Sequence, residues 1–142
     1  MLISTKGRYA LRVLVDMAEH QAETYVPLKE IAERQEISEK YLESLIKPLV
    51  QSGFVEGLRG KGGGYRLAKN PEQISVAAVL ELMEGTIAPV ACLEKGRPPC
   101  ARSQNCHTLP MWRGLNHVIQ EYLSGFSILD LTLGEDQYNY VI

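Results

Sequence analysis

The chain has 142 residues, of which 45% are apolar and 23% charged, a length and composition that suit one domain or one domain with an appendage. No apolar run approaches the roughly 20 residues that span a bilayer, and the N-terminal segment lacks the basic stretch and long apolar core of a signal peptide. Three cysteines are too few, and odd in number, for a disulfide scaffold. We therefore expect a cytoplasmic protein that neither spans a membrane nor is secreted.

The formal net charge of −2 comes from 15 basic and 17 acidic residues that are spread unevenly. Residues 1–70 hold 11 Lys and Arg against 9 Asp and Glu, whereas residues 71–142 hold 4 against 8. The stretch 55–69 has four basic residues and one acidic residue. Local positive potential of this kind suits contact with phosphates, although solvated loop charges would give the same count.

Three helices are predicted from the spacing of apolar side chains over residues 4–20, 27–34 and 39–52. The second opens with a proline, which suits the first turn of a helix. The third has Ser38 as a candidate N-cap and Gly53 as a stop just past its end. The first third of the chain is therefore expected to be helical.

Two short strands, residues 54–58 and 65–67, are predicted to flank a glycine-rich tip at residues 59–64. Three helices followed by such a hairpin is the order of a winged helix-turn-helix. A nucleotide-phosphate loop is the rival interpretation of the glycines, but such a loop runs from a strand into a helix N-terminus. Because a strand follows the tip in this chain, we reject the nucleotide interpretation.

The third helix and the tip carry candidate DNA-binding residues. Four polar residues share one face of the helix: Lys40, Glu43, Ser44 and Lys47. A carboxylate such as that of Glu43 repels phosphate unless it accepts a hydrogen bond from a cytosine amino group. An ordinary solvated helix face is the alternative, with about equal weight. At the tip, Arg59 and Lys61 are suited to a minor groove, where groove width is read.

Beyond residue 70, the sequence predicts a helix over residues 76–84, an irregular segment over 88–107 and a long helix over 108–125. Ser127 is a candidate cap for a final short helix, and a polar tail begins at Gly134. All three cysteines fall in the irregular segment.

Cys92, Cys100 and Cys106 are separated by gaps of seven and five residues. Paired zinc ligands favour gaps of two to four, so no structural zinc site is predicted. Wider thiolate spacing in a loop suits an iron–sulfur cluster, with His107 as a candidate fourth ligand. Free thiols are the alternative. A Cys/His hydrolase would also need a nucleophile-bearing turn and an orienting acid; we find neither and expect a protein that is not an enzyme.

Four segments together carry a resemblance to a known family. They are Ser4-Thr-Lys-Gly-Arg-Tyr-Ala10, Ile37-Ser-x-x-Tyr-Leu-Glu43, Arg59-Gly-x-Gly-Gly-Gly-Tyr65, and the cysteine loop before Trp112-Arg113. In this order they resemble the IscR-type family of winged-helix repressors, which includes regulators of iron–sulfur and of cysteine metabolism. The resemblance covers nearly all of the chain.

The expected fold is mainly α with a small β-hairpin wing: a winged helix-turn-helix followed by a long dimerisation helix. We expect residues 1–70 to form the DNA-binding domain and residues 71–107 to form a linking helix and the cysteine-bearing loop. Residues 108–142 would then form the dimerisation helix and the C-terminal tail.

The resemblance also implies a cytoplasmic homodimer that binds double-stranded operator DNA. In the family, the residue that matches Glu43 takes part in base choice and the one that matches Arg59 enters the minor groove. We assign Tyr41 to the same DNA-contacting set. The three cysteines resemble the family's cluster ligands, which usually hold a [2Fe–2S] centre.

The chain departs from the family pattern in the cysteine loop. The family's usual gaps are five and five, and its histidine ligand follows the third cysteine by three residues, where this chain has Leu109. His107 is the candidate substitute. The tail, residues 137–142, resembles that of cluster-free repressors of cysteine metabolism, which act with a cysteine-synthase partner.

Two functions are therefore in view. The first is a transcriptional regulator whose operator affinity is controlled by an iron–sulfur cluster and which governs cluster biogenesis or related sulfur metabolism. The second is a cluster-free repressor of cysteine metabolism or a thiol-based redox sensor.

Overall fold

Six α-helices and one β-hairpin follow one another in the computed structural model, which describes residues 2–20 and 24–134. In chain order they are α1 (Thr5–His20), α2 (Leu28–Gln35), α3 (Glu39–Gln51), β1 (Val55–Leu58), β2 (Gly64–Leu67), α4 (Val76–Glu84), α5 (Leu109–Ser124) and α6 (Ile128–Thr132). The prediction of a mainly helical fold with one hairpin is confirmed. The tail at residues 137–142 lies outside the described residues.

Local capping fixes both ends of α3. At its start, the hydroxyl of Ser38 accepts a hydrogen bond from the Tyr41 backbone N–H at 3.0 Å. At its end, Gly53 has a φ of 80°, and the Phe54 N–H donates to the Leu49 carbonyl at 3.0 Å, the bonding pattern of a Schellman motif. The predicted cap and stop are confirmed, so the set of residues that the helix presents is well defined.

The helix α1 is the centre of the main hydrophobic core and packs against α2, α3, α4 and α6. Its fully buried stripe consists of Ala10, Val13, Leu14 and Met17. The same core takes in Leu45 from α3, and Ile74, Val79 and Ile128 from the second half of the chain. The main core therefore extends across residue 70. The boundaries at residues 70 and 107 stay a prediction about which segment binds DNA, which carries the cysteines and which forms the dimer.

A buried carboxylate joins α1 to α2. Asp16 is 2% exposed, and its oxygens accept hydrogen bonds from Arg34 at 3.0 and 2.7 Å and from Gln35 at 2.8 Å. The bond to Asp16 raises the pKa of Arg34, and these bonds offset the desolvation cost of the buried charge. Because Arg12 also donates to the side chain and backbone of Gln35, the two helices are held in one orientation.

The helices α1 and α4 approach each other closely at Gly7. A Cβ at this position would overlap the Glu84 carboxylate and lie 3.0 Å from the Cδ2 of Leu80. The same carboxylate accepts hydrogen bonds from the backbone N–H and the hydroxyl of Ser4 at 3.0 and 2.8 Å. The end of α4 is thereby fixed to the start of α1.

The long helix α5 leaves half of its apolar residues exposed. Leu109 is its one buried residue, and Leu123 contacts a second small core near the start of α4. Four apolar side chains of α5 are 41–59% exposed, namely Met111, Leu115, Val118 and Tyr122. Ser127 caps α6 through a reciprocal pair of hydrogen bonds with Asp130, which confirms the predicted final helix. None of the described helices is long and apolar enough to cross a membrane.

Candidate nucleic-acid interface and cysteine loop

The polar face of α3 is open to solvent. Its four members, Lys40, Glu43, Ser44 and Lys47, are all exposed. Among the described residues, neither Lys40, Glu43 nor Lys47 forms an ion pair. Their charges are therefore available to an external partner, and the Glu43 carboxylate has no internal cation to compete with a cytosine amino group.

Tyr41 lies on a different side of α3 from these four residues. It is half-buried, its hydroxyl lies 3.4 Å from the Thr5 hydroxyl of α1, and its ring meets that of Tyr9 edge to face with centroids 5.9 Å apart. The structure therefore places Tyr41 at the junction of α1 and α3. Sequence spacing contained a signal for this position, because Tyr41 is offset from the exposed face defined by Lys40 and Ser44.

The tip of the hairpin presents two cations. β1 and β2 pair in antiparallel register, and Arg59 and Lys61 are exposed in the loop between them, without an ion pair to any described residue. Gly60 and Gly62 have φ values of 93° and 76°, a region that glycine adopts without steric cost. The tip is thus a narrow backbone turn that carries two long, exposed basic side chains.

Arg66 differs from the tip cations, although the sequence count grouped it with them. It lies directly opposite Glu56 in the hairpin, donates to that carboxylate at 2.6 Å and stacks over the Tyr25 ring at 4.3 Å. The hydrogen bond to Glu56 raises the pKa of Arg66. The antiparallel register of the hairpin, if worked out from the sequence, would have indicated this pair. Because Glu56 neutralises Arg66, the positive potential of the hairpin is concentrated at its tip.

The hairpin is anchored to the segment between α1 and α2. Val26 and Tyr65 exchange two backbone hydrogen bonds, both of 2.8 Å. Gly64 has a φ of 149°, and a Cβ there would overlap the Val26 carbonyl group and the Pro27 nitrogen. The glycine run therefore serves both the turn and this close backbone approach, a role that the sequence analysis missed.

An open groove of about 540 Å³ lies between α3 and the hairpin. Its walls include Glu43 and Lys47 from α3 and Arg59 from the tip. The structure thus brings together three of the predicted DNA-binding residues, while Lys40, Ser44 and Lys61 lie outside the groove walls. A hydrogen-bond acceptor and two cations that line one groove can contact a base edge and the neighbouring phosphates.

The cysteine loop, residues 88–107, does not gather its predicted ligands. Cys92 and Cys100 are exposed and line one pocket of about 280 Å³, whereas Cys106 is half-buried and lies outside it. His107 is exposed and also lies outside this pocket. Within residues 2–20 and 24–134, no three His, Cys, Asp or Glu side chains are grouped so that they could hold a metal ion. In this arrangement the thiols do not fit an iron–sulfur cluster.

Cys106 has a distinct environment just before α5. Its sulfur lies 3.4 Å from the Thr108 hydroxyl. Hydrogen bonding from the side chain and backbone of Thr108 lowers the pKa of the Cys106 thiol, with smaller contributions from the Leu109 N–H and the charge of Arg102. Thiolates are the nucleophilic and metal-binding form of cysteine, so this environment favours the reactive form of Cys106.

The arrangement of three helices, a basic-tipped hairpin and a long exposed helix matches a family of known regulators. The family model "Rrf2: Iron-dependent Transcriptional regulator" matches residues 3–133. The chain belongs to the Rrf2 family.

Individual relatives of this Rrf2 protein agree with that membership. The HTH-type transcriptional regulator IscR of Aliivibrio salmonicida is 38% identical over 136 residues, which cover 96% of this chain and 80% of the relative. The solved structure of CymR, the global cysteine regulator of B. subtilis, has a TM-score of 0.75 and 34% identity, covering 93% of this chain and 96% of CymR. T. potens IscR has a TM-score of 0.70 and 34% identity, covering 92% and 85% of the two chains.

These likenesses decide two of the expectations. The protein is a helix-turn-helix transcriptional regulator of the Rrf2 family with a winged-helix fold. Its relatives are named as transcriptional regulators, which is a DNA-binding role and not an enzymatic one. The expectation that the protein is not an enzyme is therefore confirmed.

Proposed function

We propose that this Rrf2 protein is a cytoplasmic homodimer that binds double-stranded operator DNA and whose affinity for it is controlled by an iron–sulfur cluster. The genes controlled would serve cluster biogenesis or related sulfur metabolism. The observation that carries the DNA-binding part is the groove whose walls join Glu43 and Lys47 of α3 to Arg59 of the hairpin tip.

Each element of the interface has a proposed role. α3 would lie in the major groove, with Glu43 accepting a hydrogen bond from a base and the neighbouring polar residues Lys40, Ser44 and Lys47 contacting bases or phosphates. The tip would approach the minor groove with Arg59 and Lys61. Tyr41 would hold the recognition helix against α1, since its side chain already contacts that helix.

The exposed face of α5 supports the homodimer. Met111, Leu115, Val118 and Tyr122 are separated by steps of four, three and four residues, so they share one side of the helix. A contiguous apolar face of this kind is typical of an interface. A second copy of α5 would cover it and set two recognition helices about one turn of DNA apart.

The cluster part of the proposal is supported by the description of the family as iron-dependent and by the presence of three cysteines in one loop. Cys92, Cys100, Cys106 and His107 are the proposed ligands of a [2Fe–2S] centre. Because these side chains do not converge as described, binding would require the loop to rearrange.

A cluster-free regulator of cysteine metabolism is the second candidate. It is favoured by the structural likeness to the global cysteine regulator CymR at a TM-score of 0.75 and by the separation of Cys106 from the pocket of Cys92 and Cys100. Under this candidate the thiols would act as free cysteines, and a cysteine-synthase partner would be the expected co-regulator.

Base reading is tested by selecting preferred duplexes from a random pool and then measuring dissociation constants for a panel of single-base variants. For Glu43→Ala we expect the preference at one base pair to weaken by about 1–3 kcal/mol and binding to unrelated duplexes to improve slightly, because a negative charge is removed. Glu39→Ala, which removes the same charge from the first turn of α3, is the matched control. An unchanged ranking of sequences in Glu43→Ala would remove the base-reading role.

Cluster binding is tested by an anaerobic visible absorption spectrum together with iron and acid-labile sulfide assays on the same sample. Charge-transfer bands with matched iron and sulfide, lost in Cys100→Ala, are expected. A colourless protein that cannot be reconstituted would instead favour the cluster-free regulator.

A further inference from the structure

The first turns of α1 lie beside the N-terminal turn of the recognition helix α3. Thr5 and Tyr9 both contact Tyr41, through the 3.4 Å hydroxyl contact and the edge-to-face ring pair. This junction is on the side of α3 away from the groove, whose wall on α3 includes Glu43 and Val50. The exposed face of α3 is therefore bordered by the hairpin on one side and by α1 on the other.

Arg8 lies on the same stripe of α1 as the residues of this junction. Thr5, Arg8, Tyr9 and Arg12 follow the i, i+3, i+4, i+7 spacing of one helix side. Arg12 is occupied, because it donates to Gln35 and stacks 4.5 Å over the Tyr9 ring. Arg8 is exposed and forms no side-chain hydrogen bond or ion pair with any described residue. It is thus an available cation about one helical turn along α1 from Thr5, which contacts Tyr41 of the recognition helix.

A helix that lies in the major groove is bordered by two phosphate backbones, one on each side. The hairpin, with Arg59 and Lys61, stands on one side of α3. The stripe of α1 stands on the other side and presents the guanidinium group of Arg8, whose planar fork and permanent charge match a phosphate.

We propose that Arg8 contacts a backbone phosphate of the operator on the side of the recognition helix opposite the hairpin. This inference rests on the proposed function, because it takes α3 to be the helix in the major groove. It makes α1 a third DNA-contacting element, one that positions α3 through Tyr41 without reading bases itself.

The test is a salt titration of duplex binding by Arg8→Ala, with Lys6→Ala as the matched control. Lys6 is an exposed cation in the same part of α1 but lies two positions away and hence on a different side of the helix. We expect Arg8→Ala to bind every duplex about eightfold more weakly per protomer at 0.1 M salt. The slope of log K against log salt should fall by about 0.9 per protomer, the loss of one phosphate contact.

Arg8→Lys should keep the salt slope, and Lys6→Ala should leave both affinity and slope near those of the unmodified protein. Equal effects of Arg8→Ala and Lys6→Ala would overturn the proposal, since the loss would then reflect general charge. So would an unchanged slope in Arg8→Ala while Glu43→Ala still alters sequence ranking. If the unmodified protein binds no duplex at any salt concentration, the proposed function itself fails, and this proposal fails with it.

Discussion

Two exposed residues of the candidate interface, Glu43 and Lys61, carry opposite charges and are expected to act on binding in opposite ways. A carboxylate opposes association with any phosphate backbone and is useful where a base donates a hydrogen bond to it. A lysine at an exposed tip attracts phosphates regardless of sequence, because its ammonium group acts as a point charge. Selectivity and affinity are therefore assigned to different side chains.

For Lys61→Ala we expect weaker binding to all duplexes in the same proportion, with the salt slope reduced by about 0.9 per protomer. Lys95→Ala is the control, because Lys95 lies in the cysteine loop, outside the candidate interface, and pairs with Glu81 of α4. Dissociation constants measured at several salt concentrations decide the outcome. A change in sequence ranking in Lys61→Ala would contradict a role limited to phosphate or groove contact.

A hydrogen bond from the Thr108 hydroxyl favours the thiolate form of Cys106 in the cluster-free protein. This bond lowers the pKa of the thiol, so the reactive thiolate persists to lower pH than in an ordinary cysteine. In Thr108→Val the pKa should rise, and the pH at which Cys106 alkylation reaches half its maximal rate should move upward. Peptide mass spectrometry after timed iodoacetamide treatment measures this, with Thr132→Val as the control. An unchanged pH profile would show that the hydroxyl does not stabilise the thiolate.

Single residues also mark the limit of prediction from this sequence. The exposed positions of α3 and of the tip followed from helical spacing and from glycine, since both are local properties. The pairing of Arg66 with Glu56 and the contact of Tyr41 with α1 depend on register and on helix packing. The positions of the three thiols depend on a loop with few local rules, and their spacing alone did not indicate that Cys106 lies apart.

Among the secondary-structure elements, the hairpin is anchored by contacts outside its own two strands. The two hydrogen bonds between Val26 and Tyr65 extend the pairing to a third segment of chain. This fixes the direction of the tip relative to α3, which a free two-stranded hairpin would not achieve. The position of Arg59 over the groove is therefore a property of the α1–α2 connection as well as of the hairpin.

Gly64→Ala should displace the hairpin, because a methyl group would overlap the Val26 carbonyl. We expect a loss of about 1–3 kcal/mol in the free energy of unfolding and a larger proportional loss of duplex affinity than in Lys61→Ala. Gly114→Ala in α5, where a Cβ meets no atom within 4 Å, should instead keep or raise stability. Thermal unfolding and duplex binding are the measurements. A stable Gly64→Ala protein with normal affinity would show that the close approach is not needed.

The helices themselves followed closely from the sequence because their caps are encoded locally. Ser38 and Ser127 cap α3 and α6 as predicted, and the apolar stripe of α1 is buried as its period indicates. The apolar periodicity of a helix does not indicate which other element its apolar face packs against. It therefore did not indicate that α4 and α6 share the core of the first three helices.

At the scale of the whole molecule, the exposed apolar face of α5 predicts a dimer. Leu123 lies on the same helix but contacts a core of its own chain. Its substitution would therefore disturb folding as well as assembly. Val118, at 59% exposure, separates the two effects.

Val118→Asp should yield a folded monomer that keeps the helical circular-dichroism signal, although its unfolding temperature falls with the loss of the dimer. It should bind a two-half-site operator much more weakly, because half-sites about 34 Å apart would no longer be engaged together. Ser124→Asp, which adds the same charge at an exposed position on another side of α5, should remain dimeric. Sedimentation equilibrium decides between them, and an unchanged mass for Val118→Asp would place the dimer interface elsewhere.

The close crossing of α1 and α4 has a consequence for how this protein tolerates sequence change. Gly7 leaves room for the Glu84 carboxylate, and that carboxylate in turn holds Ser4. The two positions are therefore not free to vary independently. A homologue with a larger side chain at position 7 should carry a shorter one at position 84, and it should then need another acceptor for the residue at position 4.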